Sequence, residues 1–456
     1  MATAREEPQT TSRARGDGLY YGWVVAWTSF GVLTITYGVQ FSFGVFLPSI
    51  ARDLDVSRTQ AAAAYSVYVL VYSIMSSVSG ALTDRRGPRL VLAAGGVLFG
   101  IGYALTGAAQ STWQLIVALG LIAGLGMSAA FVPCNATVVR WFAHKRGRAL
   151  SVSTSGGSFA AVVVPFLAGW LVERTSWRVL YLGCAVMLLV GLLVASRLLV
   201  GRPEDIGLTL EDELGRRGAA QPRPATADDG AGATGAGAEV SLTPRQAART
   251  TSFWVLVSIF LCTWLVVFLP LVHLPPFAED LGIGATVAAS LVSAVGIGGL
   301  VGRTLTGGFS DRVGRTVSLA AVLGVQVVAF LVFAVSDSLW TLYPAAVGFG
   351  FGYGGTTTVF PALVADLFGR AHAGALTGLV FAGAGSAAAV GPFVAAWMYD
   401  LTGSYRAAFV LSAVVNGMGL VLVVVLRATT PAHPGGRAAE PSPLRGTGQL
   451  APGRRR

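Results

Sequence analysis

Twelve apolar runs, most of them twenty residues or longer, leave the chain few choices of fold. They cover approximately residues 20–48, 58–83, 90–109, 112–140, 148–172, 177–199, 251–277, 285–310, 316–336, 338–366, 373–399 and 404–427. About 20 apolar residues in a helix cross the ~30 Å hydrocarbon core of a bilayer. In that core every backbone N–H and C=O must be satisfied internally, which restricts spanning segments to helices or closed barrels. Only 12% of the 456 residues are charged, 54% are hydrophobic, and the mean hydropathy is +0.66. A soluble domain carries roughly 25% charged residues. The expected fold class is therefore all-α: a polytopic membrane protein of twelve transmembrane helices embedded in the lipid bilayer.

The net charge of +10 does not mark a nucleic-acid binder, because its arginines sit in short loops between apolar runs and in the tails. Lys/Arg asymmetry sets orientation. With the N-terminus inside, 26 of the 32 basic residues fall on the inner side and five on the outer side: Arg52, Arg58, Arg174, Arg178 and Arg406. Both termini are thus expected in the cytoplasm. The basic residues comprise one lysine, Lys145, and 31 arginines. This bias points to a bacterial source and hence to the cytoplasmic membrane. Cys134, Cys184 and Cys262 lie in apolar runs with no disulfide framework or metal spacing. No metal, cofactor or enzymatic constellation is expected, and no cleavable signal peptide is evident.

The domain reading is a cytoplasmic tail (1–18), a six-helix half (19–199), a flexible linker rich in Gly, Ala, Pro, Asp and Arg (200–250), a second half (251–427) and a second disordered tail (428–456). The halves repeat. Gly80-Ala-Leu-Thr-Asp84-Arg85-Arg86-Gly87 recurs as Gly307-Gly-Phe-Ser-Asp311-Arg312-Val-Gly314 at an offset of 227. Pro165, Trp170, Glu173 and Thr175 recur as Pro392, Trp397, Asp400 and Thr402 at the same offset. Two halves in the same orientation form the parallel repeat of the major facilitator architecture, with a solute site near the midplane between them.

One residue breaks the apolar pattern. Arg303 lies eight residues before Asp311, roughly 12 Å along a helix, near mid-membrane depth. A charge there costs at least about 2.5–3.5 kcal/mol, and a guanidinium cannot lose its proton to escape that cost. No acidic residue lies inside the apolar runs to pair with it, since Glu173, Asp366 and Asp400 are all near run ends. An anionic ligand is favoured over a structural ion pair as its partner.

Several stretches resemble known families. Both Gly-x-x-x-Asp-Arg-x-Gly loops resemble motif A of the major facilitator superfamily. That resemblance implies a cytoplasmic gate at Gly80, Asp84, Arg85, Gly307, Asp311 and Arg312, with each carboxylate meeting the positive end of a neighbouring helix. Trp141-Phe-Ala-His-Lys145-Arg146-Gly-Arg148 through Ser158 looks like the signature leading into helix 5 of monocarboxylate transporters. Tyr21-Gly22-Trp23 resembles that family's first signature. Arg202-Pro-Glu-Asp-Ile-Gly-Leu208 and His273-Leu-Pro-Pro-Phe277 are similar to bacterial relatives, including the oxalate/formate antiporter group.

The resemblance implies that Arg303 binds a substrate carboxylate, which two parallel N–H···O bonds suit. It also implies a monomer. The chain departs from relatives at Gly299, where many carry an acidic residue, and at Gln40-Phe41-Ser42, where some carry a lysine. The eleventh run lacks the second cation of oxalate transporters. One buried cation matches one negative charge, because a second carboxylate would be buried unpaired.

Phe131, Asn135, Tyr353 and Phe381 are further candidates for the cavity wall, supplying a hydroxyl, an amide and aromatic cover. His273, the single histidine in an apolar run, is the candidate for proton coupling. A satisfied helix-end histidine is the competing reading. The leading expectation is a secondary transporter of a small, lactate- or pyruvate-like monocarboxylate, working by alternating access with proton symport. The alternatives are an oxalate/formate-type exchanger, an organic-acid exporter, and a non-transporting membrane sensor.

Overall fold

A computed structural model describes residues 20–142, 146–208, 242–369 and 373–429. The described residues form twelve long helical segments, labelled here α1 to α12. In the first half they are α1 (Tyr21–Phe41, continuing as Phe43–Asp53), α2 (Arg58–Arg86), α3 (Pro88–Gly107), α4 (Thr112–Trp141), α5 (Arg146–Val172) and α6 (Trp177–Leu198). In the second half they are α7 (Thr251–Asp280), α8 (Ala285–Val313), α9 (Arg315–Val335), α10 (Leu339–Phe368), α11 (Ala373–Ala387, continuing as Val390–Thr402) and α12 (Arg406–Thr429).

Ten of these are long and apolar enough to cross a membrane by length and composition. The other two are α10, whose Gly350–Thr358 stretch dilutes its hydropathy, and α11, which breaks at Ala388 and Ala389. Three runs read as single helices are thus interrupted. α1 turns at Ser42, and α4 widens to an i→i+5 pattern over Ile116–Ala123. The 200–250 segment has structure at both described ends. Pro203–Ile206 forms a 3₁₀ turn and Pro244–Ala247 a short helix, and the Leu242 N–H donates to the Phe368 carbonyl at 2.8 Å. The rest of that segment and both tails lie outside the described residues, apart from the last turn of α12, which runs to Thr429.

The two halves pack by the same rule. α3 packs on α6 and α9 on α12, α1 packs on α5 and α7 on α11, and α2 meets α4 as α8 meets α10. Between helices in lipid, close approach of small residues replaces the hydrophobic effect as the source of association. The α8–α10 crossing depends on it. A Cβ placed on Gly298, Gly302, Gly350 or Gly354 would stand 2.0–2.1 Å from a carbonyl oxygen of the facing helix. This crossing fixes the helix that carries Arg303.

Tryptophans mark both interfaces in repeat-related pairs. Trp27 and Trp254 near one end, and Trp113, Trp340, Trp170 and Trp397 near the other, are all more than 40% exposed. Each pair is separated by 227 positions. Such amphipathic rings collect at headgroup level. The halves touch through α5 on α8, α2 on α11 and α1 on α7.

Candidate functional site

A cavity of about 780 Å³ lies between the halves. It is lined by α1, α2, α4 and α5 from one half and by α7, α8, α10 and α11 from the other. Arg303 reaches it from α8. Its Nη1 donates to the Ser158 hydroxyl on α5, so the contact crosses between the halves. Its guanidinium stands 5.7 Å from the centre of the Tyr353 ring. Among the described residues no carboxylate lies within ion-pair distance of Arg303; the ion pairs found, such as Arg58–Asp280, Arg178–Asp53 and Arg315–Asp366, all lie near helix ends. Arg303 thus rests on the Ser158 hydroxyl and beside the Tyr353 ring, with no carboxylate partner among the described residues.

Phe131 and Tyr353 also line the cavity, as expected. Phe131 meets Tyr37, with ring centres 6.3 Å apart. Asn135 does not line it. Its side-chain oxygen accepts from the Ser153 hydroxyl at 3.0 Å, which ties α4 to α5. Phe381 lies on α11, with its side chain outside the described residues. His273 is also away from the cavity. Its ring is fully buried, with Nε2 2.8 Å from the Pro392 carbonyl and the ring centre 4.9 Å from that of Tyr405. Its Nδ1 is buried with no hydrogen-bond partner, and the ring stands within α7 rather than at its end, so the reading as a satisfied helix-end histidine fits only in part.

The cavity wall includes groups not singled out from the sequence. Ser73, Ser76 and Ser77 line it from α2, and their three- and four-residue spacing is a polar stripe on one face of an apolar helix. Tyr37 and Tyr72 add two further phenols.

Of the motif residues, Gly80 sits at the cavity mouth. The Asp84 carboxylate accepts from Arg140 in the same half rather than from a helix of the other half. Arg85 and Arg312 are exposed, Gly307 is on α8, and the Asp311 side chain lies outside the described residues. The two stretches resembling the monocarboxylate transporter signatures meet in space. Tyr20 and Trp23 contact Phe142 edge to face, the Tyr20 hydroxyl donates to the Trp141 carbonyl at 2.7 Å, and Arg148 lies over Trp23.

The family model of the Major Facilitator Superfamily matches residues 29–358 and 278–454. The chain belongs to the Major Facilitator Superfamily. Its relatives in this superfamily include monocarboxylate transporter 13 of Rattus norvegicus, 26% identical over 408 residues covering 89% of each chain. Monocarboxylate transporter 11 of Homo sapiens is 29% identical over 409 residues, covering 86% of this chain and 80% of that one. A crystal structure of a variant of the nucleoside transporter NupG superposes with a TM-score of 0.67 at 12% identity, covering 90% of this chain and 99% of the other, and shares the fold. The protein is a multi-pass membrane transporter of this superfamily, not an enzyme.

The major facilitator cavity has one closed end and one open end. At the closed end Phe41, Phe268 and Leu271 roof it and are only 2–4% exposed. Beyond them α1 and α7 touch, and a Cβ on Gly44 would stand 2.3 Å from the Val272 carbonyl oxygen. Farther out, Arg58 of the first half binds Asp280 of the second in a two-pronged pair at 2.8 and 2.6 Å. It also donates to the Tyr405 hydroxyl at 3.1 Å and lies 4.0 Å over the Tyr399 ring. Two carboxylates complete the closure. Asp400 accepts from the Thr59 N–H at 3.0 Å, and Glu173 accepts from the Thr286 N–H at 2.8 Å and its hydroxyl at 2.6 Å. These bonds hold the Glu173 carboxyl below the ordinary carboxylate range. At the opposite end the lining residues Ser77 and Pro361 are exposed.

Proposed function

We propose that this protein is a secondary active transporter of a monocarboxylate that works by alternating access. The carrying observation is Arg303: a cation between the halves, in a cavity wall that is otherwise apolar or hydroxylic, with no carboxylate among its described neighbours. A guanidinium fork binds a carboxylate through two parallel charge-assisted bonds. One cation suits one negative charge, since a second carboxylate in this wall would be buried without a partner. The names of the monocarboxylate transporter relatives support the same class of cargo.

The Lys/Arg asymmetry assigns the open, Asp84-bearing end to the cytoplasm. The conformation is then inward-open, both termini are cytoplasmic, and the motif loops at Gly80–Arg85 and Gly307–Arg312 form the cytoplasmic gate in its released state. The Asp84–Arg140 pair within one half fits a gate not engaged across the halves. The arginine-rich composition supports a bacterial cytoplasmic membrane as its location. The proton is taken as the co-transported ion. His273 lies behind the Arg58 cluster, so it exchanges protons with the outer solution only after that end opens.

Counterflow in proteoliposomes tests the reading. Vesicles preloaded with an unlabelled monocarboxylate should accumulate the labelled acid, and an inwardly directed proton gradient should drive net uptake of it. Absence of any carboxylate flux, with the purified protein folded, would refute the proposal. Strict one-for-one exchange with no response to the gradient would replace symport by antiport.

A further inference from the structure

The cavity is graded along its length, and the grading selects a tail as well as a head group. Toward the mouth the wall beyond Arg303 is mixed, with the hydroxyls of Ser76, Thr154, Thr357 and Thr358 beside Val132 and Pro361. Toward the roof it carries Tyr37, Phe41, Phe268, Leu271 and Val295. A carboxylate on Arg303 and Ser158 therefore points its remaining atoms either at hydroxyls and water or into an aromatic recess.

Gly299 widens that recess. It lines the cavity one helical turn from Arg303, and a Cβ there would meet only the Gly350 carbonyl oxygen at 3.6 Å, an ordinary contact. Its neighbours Gly298 and Gly302 differ, since a Cβ on either would strike backbone of α10 at 2.1 Å. The helix crossing does not require glycine at 299, so a side chain there would fit against α10 and would instead take up cavity space one turn from the guanidinium.

We infer that the cargo is a monocarboxylate with a bulky apolar or aromatic tail, and that Gly299 is the residue that admits the tail. Burial of a ring against this roof adds affinity in proportion to the apolar area removed from water. A two- or three-carbon acid leaves the recess wet and gains none of it. The inference rests on Arg303 as the carboxylate site.

The test is a thermal-shift and equilibrium-binding series on the full chain in detergent. The probes are acetate, lactate and pyruvate against phenylacetate and phenylpyruvate, for the unmodified protein and for Gly299→Ala and Gly299→Val. The ring-bearing acids should bind at least about ten-fold tighter than the short ones. Gly299→Val should remove most of that preference, read as the ratio of the two affinities within each variant, with Gly299→Ala between. Short acids binding as tightly as ring-bearing ones would overturn the tail assignment and leave the Arg303 reading intact. If neither class binds, or Arg303→Gln binds both unchanged, the carboxylate site itself is refuted.

A second inference comes from the closed end, independently of cargo. Thr59 and Thr286 are each the second residue of their helices, α2 and α8, and are 227 positions apart. Glu173 and Asp400, which close on them, are also 227 apart. Each half thus offers one carboxylate and one helix start, and each carboxylate caps the helix start of the other half. A carboxylate at the positive end of a helix satisfies free N–H groups and the dipole together. We infer that this reciprocal pair is a latch on the outer vestibule, in which both bonds must break for that end to open.

Spin labels at Thr175→Cys and Leu401→Cys, with Cys134, Cys184 and Cys262 replaced by alanine, report the separation of the two halves at this end. Glu173→Gln and Asp400→Asn should each raise the separated population about two- to five-fold, the scale of a surface charge-assisted bond. The double variant should multiply the two effects. Thr286→Val, which removes only the hydroxyl donor, should give a smaller shift in the same direction. An unchanged distance distribution in all variants would overturn the latch, and a response confined to one carboxylate would overturn its reciprocity.

Discussion

Two alanine substitutions on one helix should act in different ways. In Gly302→Ala the new methyl would stand 2.1 Å from the Phe351 carbonyl oxygen and 2.9 Å from its carbon, both backbone atoms that cannot rotate away. Ordinary contact begins at 3.4 Å, so α10 must retreat by about 1 Å or more. A radial gap of 0.5–1 Å already forfeits a quarter to a half of each dispersion well. Overpacked sites cost about 1–3 kcal/mol, and a clash with immovable backbone belongs at the upper end. Gly308, six residues on, has nothing within 4 Å of its Cβ position. Alanine there should stay within about 0.5 kcal/mol of neutral. The assay is reversible unfolding in mixed micelles followed by helical signal. Gly302→Ala should lower stability by about 3 kcal/mol and also weaken anion binding, because Arg303 is the next residue and its bond to Ser158 depends on where α8 lies. Equal stabilities for the two variants would refute the claim that the α8–α10 approach fixes the site.

Three further outcomes follow from the same geometry. Arg58→Ala should loosen the closed end, seen as faster labelling by a thiol reagent of a cysteine introduced by Leu271→Cys, because Asp280 and the Tyr405 hydroxyl lose their shared donor. The Glu173–Thr286 contact should depend on pH in one direction. The carboxyl is held below its ordinary value of 4.5, so the contact is fully formed above that value and is lost as pH falls through the lowered one. Label separation at that end should thus be constant through neutral pH and grow only in acid. His273→Gln, which keeps a donor for the Pro392 carbonyl, should leave carboxylate affinity measured in detergent unchanged, since the ring does not reach the cavity.

The fold was legible because lipid permits so few alternatives. Length and apolarity named the twelve segments, and the 227-residue offset named the halves. The breaks were not legible, since Ser42 in α1 and Ala388–Ala389 in α11 are ordinary helix residues by composition. Arg303 could be read directly, as a charge without a partner in an apolar run always signals a constraint. Asn135 could not, because a half-buried amide takes a partner and the sequence does not say whether that is cargo or a hydroxyl. Ser153 on α5 supplies it. The repeats of Glu173 and Asp400 were visible, but their partners Thr59 and Thr286 became meaningful only when the halves were brought together. His273 shows the reverse case: its chemistry was apparent, while its burial against Pro392 belongs to tertiary packing.

The central claim is that Arg303 receives the cargo's carboxylate. Its most direct test is equilibrium binding of a monocarboxylate to the purified protein and to Arg303→Lys and Arg303→Gln. Lysine keeps the charge without the two-pronged geometry, and glutamine loses both. The account predicts affinity falling at least about ten-fold in the lysine variant and beyond detection in the glutamine variant, with both remaining folded. Undiminished binding in the glutamine variant would contradict it.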